Sequence, residues 1–240
     1  MKGLGTLINV AAVLVGGAAG LVLGGRLPER IRQTVMHGLG LLTIVIGVQL
    51  TFESQNSLVL LGSLLVGGIL GELLRIEERI DQLGRWLERR TGSGESPASD
   101  EDLVSPAGSR FSRGFLTASL LFCVGPMAIL GSIQDGIQGD ITLLAIKSGL
   151  DGFAALGLAS TLGLGTLFAS LSVLVYQGAL TLAAGVASGL LSEPMVAQMS
   201  ACGGLLLVAL GLGLLEIKDL RAGNLLPALL LGPLLLAVVS

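Results

Sequence analysis

Histidine, tryptophan and tyrosine each occur once in this chain, and cysteine occurs twice. One histidine (His37) and two cysteines far apart in apolar sequence (Cys123, Cys202) leave no zinc-ligand spacing and no disulfide framework. A phosphate-binding glycine loop with its lysine is missing, and so is any nucleophile with a histidine base. The expectation is therefore a protein that is not an enzyme, with no cofactor, no fixed metal site and no nucleic-acid partner. Charge is also scarce: 13% of residues are Asp, Glu, Lys or Arg, against roughly a quarter in an average soluble domain.

Apolar residues and glycine fill the space. Hydrophobic residues make up 52% of the 240 positions, and the mean hydropathy is +0.85. Several apolar runs approach or exceed the ~20 residues that a helix needs to cross a ~30 Å hydrocarbon core. Alternating strand patterns are absent, so the expected fold is an all-α polytopic membrane protein whose backbone groups are satisfied inside each helix. With 37 glycines and only 3% aromatic residues, its helices must pack by close backbone approach. Gly16, Gly20 and Gly24 place such a contact on one face of the first segment.

Eight spans are expected: about Leu4 to Leu23, Val35 to Leu50, Ser57 to Leu74, Phe115 to Ile133, Ile141 to Ala159, Leu164 to Val186, Met195 to Leu215, and Leu225 to Val239. The first is followed, not preceded, by an arginine cluster, the reverse of a secretory signal. With both termini outside, Arg26, Arg30, Arg32, the arginines from Arg75 to Arg113, Lys218 and Arg221 all fall on the cytoplasmic side, and only Lys2 lies opposite. Basic residues accumulate inside, which sets the expected orientation in a bacterial inner (plasma) membrane.

The fifth segment, ITLLAIKSGLDGFAALGLA, is the weak one. Its Leu, Ile and Phe residues contribute about −2 to −5 kcal/mol to insertion, while Lys147 and Asp151 together cost about +5 to +7 kcal/mol. It does not insert alone, so it is expected either as a span held by its neighbours or as a re-entrant segment. The first is preferred, because the second would carry Lys218 and Arg221 outside.

Four regions follow: a first membrane unit of three spans (1–74), a cytoplasmic stretch (75–112), a central pair of polar spans (113–160) and a second unit of three spans (161–240). Within the cytoplasmic stretch, RIEERIDQLGRWLERR carries Ile76, Ile80, Leu83 and Leu87 on one helical stripe. An amphipathic helix is expected there, interfacial or in a coiled-coil contact. The Gly, Ser, Pro and acidic residues from Thr91 to Arg110 read as a linker.

An internal repeat links the two membrane units. At an offset of 164, GLLTIVIGVQL from Gly40 lies over GLLLVALGLGL from Gly204, pairing Gly47 with Gly211 and Gly68 with Gly232; GTL at Gly5 matches GTL at Gly165 after a gap. A displacement of five spans reverses direction, so the units would form an inverted-topology pair, the plan in which transporters place a site near the midplane.

The densest intramembrane polarity lies in FCVGPMAILGSIQDGIQGDITLLAIKSGLDGF, from Phe122 to Phe153. Gly125 and Pro126 interrupt the fourth span, since proline lacks an amide proton and clashes with the carbonyl four residues back. A broken helix can offer carbonyl oxygens to a small cation, or it can be a simple kink. Lys147 and Asp151, four apart on one helix face, can pair. Ionisable groups at that depth face the interior and are candidates for function. Asp151 would bind a cation or proton with Lys147 as its competing counter-ion, or the two would form a purely structural ion pair. Gln134, Asp135, Gln138 and Asp140 are expected at the outer mouth or in a solvated loop. Asn9, Gln49 and Gln177 could add oxygen ligands or bond between helices, and His37 is expected in the interface.

At FCVGPMAILGSIQDG, KSGLDGF, LVYQGALTLAAG, GTLIN and GLGLLTIVIGVQL, the chain resembles the YqgA and YdfK-like family of uncharacterised bacterial inner-membrane proteins. The resemblance covers nearly everything but the linker. It implies a polytopic membrane protein, with a sodium channel or pump as the activity suggested by analogy. Combined, these observations favour a transporter or channel for a small solute, a monovalent cation above others, in a lipid bilayer, with a homo-oligomer compatible. The other reading is a non-transporting membrane scaffold or regulatory protein.

Overall fold

The computed structural model describes residues 2–25, 28–54, 56–80, 82, 86, 110–186, 192–218 and 220–239. These residues are helical throughout, joined by short turns. The helices are α1 (Leu4–Gly24), α2 (Glu29–Thr51), α3 (Ser57–Leu74), α4 (Arg110–Cys123), α5 (Pro126–Gln138), α6 (Thr142–Leu162), α7 (Gly165–Leu182), α8 (Glu193–Leu214) and α9 (Pro227–Val239), with a 3₁₀ turn at Ala222–Leu225. Six of them, α1 to α3 and α6 to α8, are long and apolar enough to cross a membrane singly. The pair α4 and α5 qualifies together, bent by 59°, and Ala222–Val238 is a shorter apolar stretch. Seven of the expected spans thus fall on helices, or on the bent pair, that could cross a membrane, and the eighth falls on the shorter apolar helix. The second begins earlier than expected, at Glu29, and the fourth is two helices rather than one.

Local chemistry explains the boundaries. Asn56 caps α3 by accepting the Leu58 and Val59 amides, each at 3.2 Å. Pro126 opens α5 at a position where its missing amide proton costs nothing. Gly139 (φ 71) ends α5 and Gly163 (φ 76) separates α6 from α7, both in the left-handed region that favours glycine.

Glycine seams set the packing. A Cβ on Gly16, Gly20 or Gly24 would lie 2.1, 2.3 or 2.4 Å from the carbonyl oxygen of Gly152, Leu156 or Ser160. The two sets of residues advance together, so α1 and α6 run parallel with backbones in contact. Between α2 and α8 the order reverses: a Cβ on Gly47 would lie 2.5 Å from the Gly204 oxygen, and one on Gly211 would lie 2.9 Å from the Gly40 oxygen. These two helices are antiparallel. The helix α3 packs on α9 and the 3₁₀ turn in the same way, with Gly71 against Asn224 and Gly67 against Ala228. Gly165 against Phe111 and the Ser119 to Ser172 hydrogen bond (2.9 Å) run α4 parallel to α7.

These contacts define two ends of the bundle. Gly3, Asp135, Ser54 and Gln198 lie at one, which is the end where the chain begins. Arg110 donates to the Thr161 carbonyl at 2.7 Å, and Arg113 to that of Gly213 at 2.9 Å, at the other. There Arg221 also meets Glu72 at 2.6 Å, so the described basic residues outside the helical interior gather at this second end, Lys2 excepted. Because α1 and α6 run the same way, the bent pair α4 and α5 must traverse the bundle once rather than turn back, and α6 traverses it fully.

The stripe Ile76 to Leu87 is helical at 76–80; most of the remainder, and the linker, lie outside the described residues.

Gly16→Ala should destabilise the purified protein by about 1 to 3 kcal/mol, the usual cost of overpacking. At Gly62 an added Cβ meets nothing within 4 Å, so Gly62→Ala should leave thermal unfolding in detergent unchanged or raise it by up to about 1 kcal/mol.

Candidate functional site

The site is built on α6, the helix least able to face lipid. Lys147 and Asp151 lie one turn apart, are 5% and 6% exposed, and form an ion pair through Asp151 Oδ2. By helical rise, Asp151 lies about 14 Å into a helix about 31 Å long. The close seam with α1 brings Asn9 to the pair. Its Nδ2 donates to Asp151 Oδ2 at 3.0 Å and to Gln177 Oε1, on α7, at 3.3 Å. Two acceptors on one amide nitrogen fix the orientation, since the flipped amide would point its oxygen at a carboxylate.

That arrangement leaves atoms over. Asn9 Oδ1 and Gln177 Nε2 are buried without a hydrogen-bond partner, as is the hydroxyl of Tyr176, the residue before Gln177 on α7. Asn9 and Gln177 themselves are 0% exposed. A buried acceptor and a buried donor left beside a shared carboxylate are costly in a folded interior, and such groups mark places where a water or an ion can bind. Asp151 therefore meets one amide and an ammonium, with the second amide bonded behind the first, a donor and acceptor set suited to a small polar or charged species.

The acidic stretch behaves differently from its expectation. Asp135 is not solvated in a loop: it is 0% exposed, and its two oxygens accept the backbone amides of Gly3 at 3.1 Å and Gly5 at 3.0 Å. The reason lies at the start of α1, where Gly3 has no side chain to cap the first turn. A carboxylate from α5 takes over that role and meets the positive end of the helix. Asp140 is exposed, and it accepts the Thr142 hydroxyl at 2.7 Å and amide at 2.9 Å. The hydroxyl first, and then the amide, hold its carboxyl below the usual range. Gln138 is exposed and Gln134 half-buried. In the α2 to α3 turn, burial pushes the Glu53 carboxyl up.

Gly125 forms the break between α4 and α5, in extended conformation (φ −78, ψ 151). Pro126 cannot donate to the Phe122 carbonyl, so that oxygen lacks its helical partner. The break is pressed against α8, where a Cβ on Gly203 would lie 1.8 Å from Val124 Cγ1. Gln49 and His37 are exposed on α2, away from the site. Among the described residues, no group of three His, Cys, Asp or Glu side chains could hold a metal ion.

Near the site, two contacts had no place in the reading of the sequence: the Thr6 to Thr181 hydroxyl pair at 3.4 Å and the Asp135 cap. Thr6 lies three residues before Asn9 and Thr181 four after Gln177, a helical spacing that pointed to shared faces.

Fold and site together define a polytopic all-α membrane protein with a buried charged centre. The chain belongs to the family described as "Protein of unknown function (DUF554)", whose model matches residues 4–237. It is similar to the "Uncharacterized protein YqgA" of Escherichia coli (strain K12), 34% identical over 233 residues that cover 95% of this chain and 94% of that one. It is likewise similar to the "Uncharacterized membrane protein YdfK" of Bacillus subtilis (strain 168), 28% identical over 239 residues covering 98% and 96%. No solved structure matches.

Replacing one member of the pair, as in Lys147→Met or Asp151→Leu, should cost about 3 to 5 kcal/mol because it strands a buried charge, whereas the double variant should unfold close to the native chain or above it. Denaturation of the three variants in detergent measures the difference.

Proposed function

We propose that this protein is a transporter or channel for a small monovalent cation, with Asp151 as the central ligand and Lys147 as the counter-ion that occupies it when no cargo is bound. The observation that carries the reading is the carboxylate of Asp151, buried half way along α6, shared by Lys147 and Asn9, with Asn9 Oδ1 and Gln177 Nε2 of the same hydrogen-bonded group left unpartnered. A carboxylate and an amide oxygen suit a cation that has lost part of its water. The Gly125 and Pro126 break supports it by freeing carbonyl oxygens between α4 and α5. Asp135 and Asp140 stand apart from this centre, the first as a cap and the second in solvent.

The packing of α2 against α8 supports an inverted-repeat plan. Under the 164-residue offset Gly40 corresponds to Gly204 and Gly47 to Gly211, and the contacts run Gly40 to Gly211 and Gly47 to Gly204. That exchange is how two equivalent, oppositely directed helices meet across a pseudo-two-fold axis. The reading places eight spans in a bacterial inner membrane, both termini outside and the 75–113 stretch in the cytoplasm. It requires no cofactor and no enzymatic step, and it allows a homo-oligomer.

Sodium flux into proteoliposomes should fall sharply in Asp151→Asn while its elution profile and helical signal stay native. Unchanged flux in a folded variant would remove Asp151 from the site, and no flux above protein-free liposomes for sodium, potassium or protons would favour a scaffold.

A further inference from the structure

The contacts along α1 and α7 are ordered by height. Nearest the N-terminal end of the bundle, the Thr6 and Thr181 hydroxyls meet at 3.4 Å. One turn deeper, Asn9 meets Gln177 at 3.3 Å, and Asn9 reaches Asp151 at 3.0 Å. One turn deeper again, the same faces carry Val13 and Val173, both fully buried in an apolar cluster with Phe122, Leu158 and Leu162. Polar side chains at i, i+3 on α1 and i, i−4 on α7 therefore form successive rungs that stop abruptly at hydrocarbon. Above the first rung stands Asp135, holding the Gly3 and Gly5 amides. Gly136 presses on the same place: a Cβ there would lie 2.2 Å from the Thr181 carbonyl oxygen.

We infer that these rungs are the access lane of the site, running from the N-terminal end of the bundle through Thr6 and Thr181 to Asn9, Gln177 and Asp151, and sealed from the opposite end by the Val13 and Val173 layer. The inference rests on the proposed transport function and names the route to that same site. The Thr6 and Thr181 hydroxyls and the unpartnered Asn9 Oδ1 can replace water around a desolvating cation, and the lane ends at the Asp151 carboxylate. That pattern fits a small monovalent cation. The lane is closed in this structure, with Thr6 2% and Thr181 6% exposed, and the Asp135 hold on the start of α1 is the contact that must loosen for it to open. Thr6 and Thr181 are positioning residues of the gate, and Asp135 is its latch.

Substituted cysteines test the lane without relying on transport. In a chain with Cys123 and Cys202 changed to alanine, Thr6→Cys, Thr181→Cys, Val13→Cys and Val173→Cys are reconstituted in vesicles. A charged, membrane-impermeant thiol reagent is then added at the face carrying Lys2. Thr6→Cys and Thr181→Cys should react at least about tenfold faster than the other two, because a thiol kept in hydrocarbon loses thiolate by a factor of ten for each unit its pKa rises. If one threonine variant fails to fold, the other reads the same rung. Equal rates at all four positions would overturn the lane. Expected labelling with flux indifferent to Asp151→Asn would keep the lane and remove the transport reading. Flux that depends on Asp151 with unreactive Thr6→Cys and Thr181→Cys would keep transport and remove the lane.

Discussion

A lysine and an aspartate half way along an apolar helix cost more to place in lipid than the rest of that helix returns, and the arrangement of its neighbours follows from this cost. Lys147 and Asp151 must be enclosed by protein. The enclosing helix is α1, which comes close enough only because Gly16, Gly20 and Gly24 allow its backbone to rest on the carbonyls of α6. That closeness brings Asn9 within hydrogen-bonding distance of Asp151, and through Asn9 it ties Gln177 on α7 to the same carboxylate. Charge, seam and site are thus one structural consequence.

Around this centre the chain repeats one solution in several places. Side-chain burial cannot drive helix association where the solvent is itself apolar, so contact between backbones replaces it. Each seam uses glycine where the facing backbone oxygen would meet a Cβ: Gly47 and Gly204 between α2 and α8, Gly71 at Asn224, Gly165 at Phe111. The polar groups that remain are spent at helix ends. Arg110 and Arg113 donate to the last carbonyls of α6 and α8, and Asp135 accepts the first amides of α1. One end of the bundle therefore collects cations at helix C-termini, and the other holds an acid at a helix N-terminus, each matched to the local dipole.

Much of this was legible in the residues. The apolar runs marked the long membrane helices, the i, i+4 spacing paired Lys147 with Asp151, and Gly125 with Pro126 marked the break. The insertion arithmetic showed that the fifth segment needs partners, though not which ones, since identity of neighbours depends on packing between segments distant in sequence. The same limit explains Asp135. In sequence it sits among Gln134, Gln138 and Asp140 and looks like part of a solvated acidic loop; its burial follows from the uncapped Gly3 more than a hundred residues away. Asp140, five residues later and free of such a partner, stays in solvent and caps Thr142 locally. The Thr6 and Thr181 pair was hidden for a related reason: threonine is ordinary in a membrane helix, and only the facing of α1 and α7 gives the two a shared height.

Thermal unfolding of the purified protein across a series of sodium, potassium and lithium chloride concentrations, with choline chloride as the control for ionic strength, tests most directly whether Asp151 binds a cation. A ligand bound only by the folded state adds about 2.7 kcal/mol at a hundred times its Kd. The native chain should therefore melt progressively higher with at least one of the alkali cations, and Asp151→Asn should lose that rise. A native melting point that follows choline for every cation, or a rise that persists unchanged in Asp151→Asn, would contradict a cation site at Asp151.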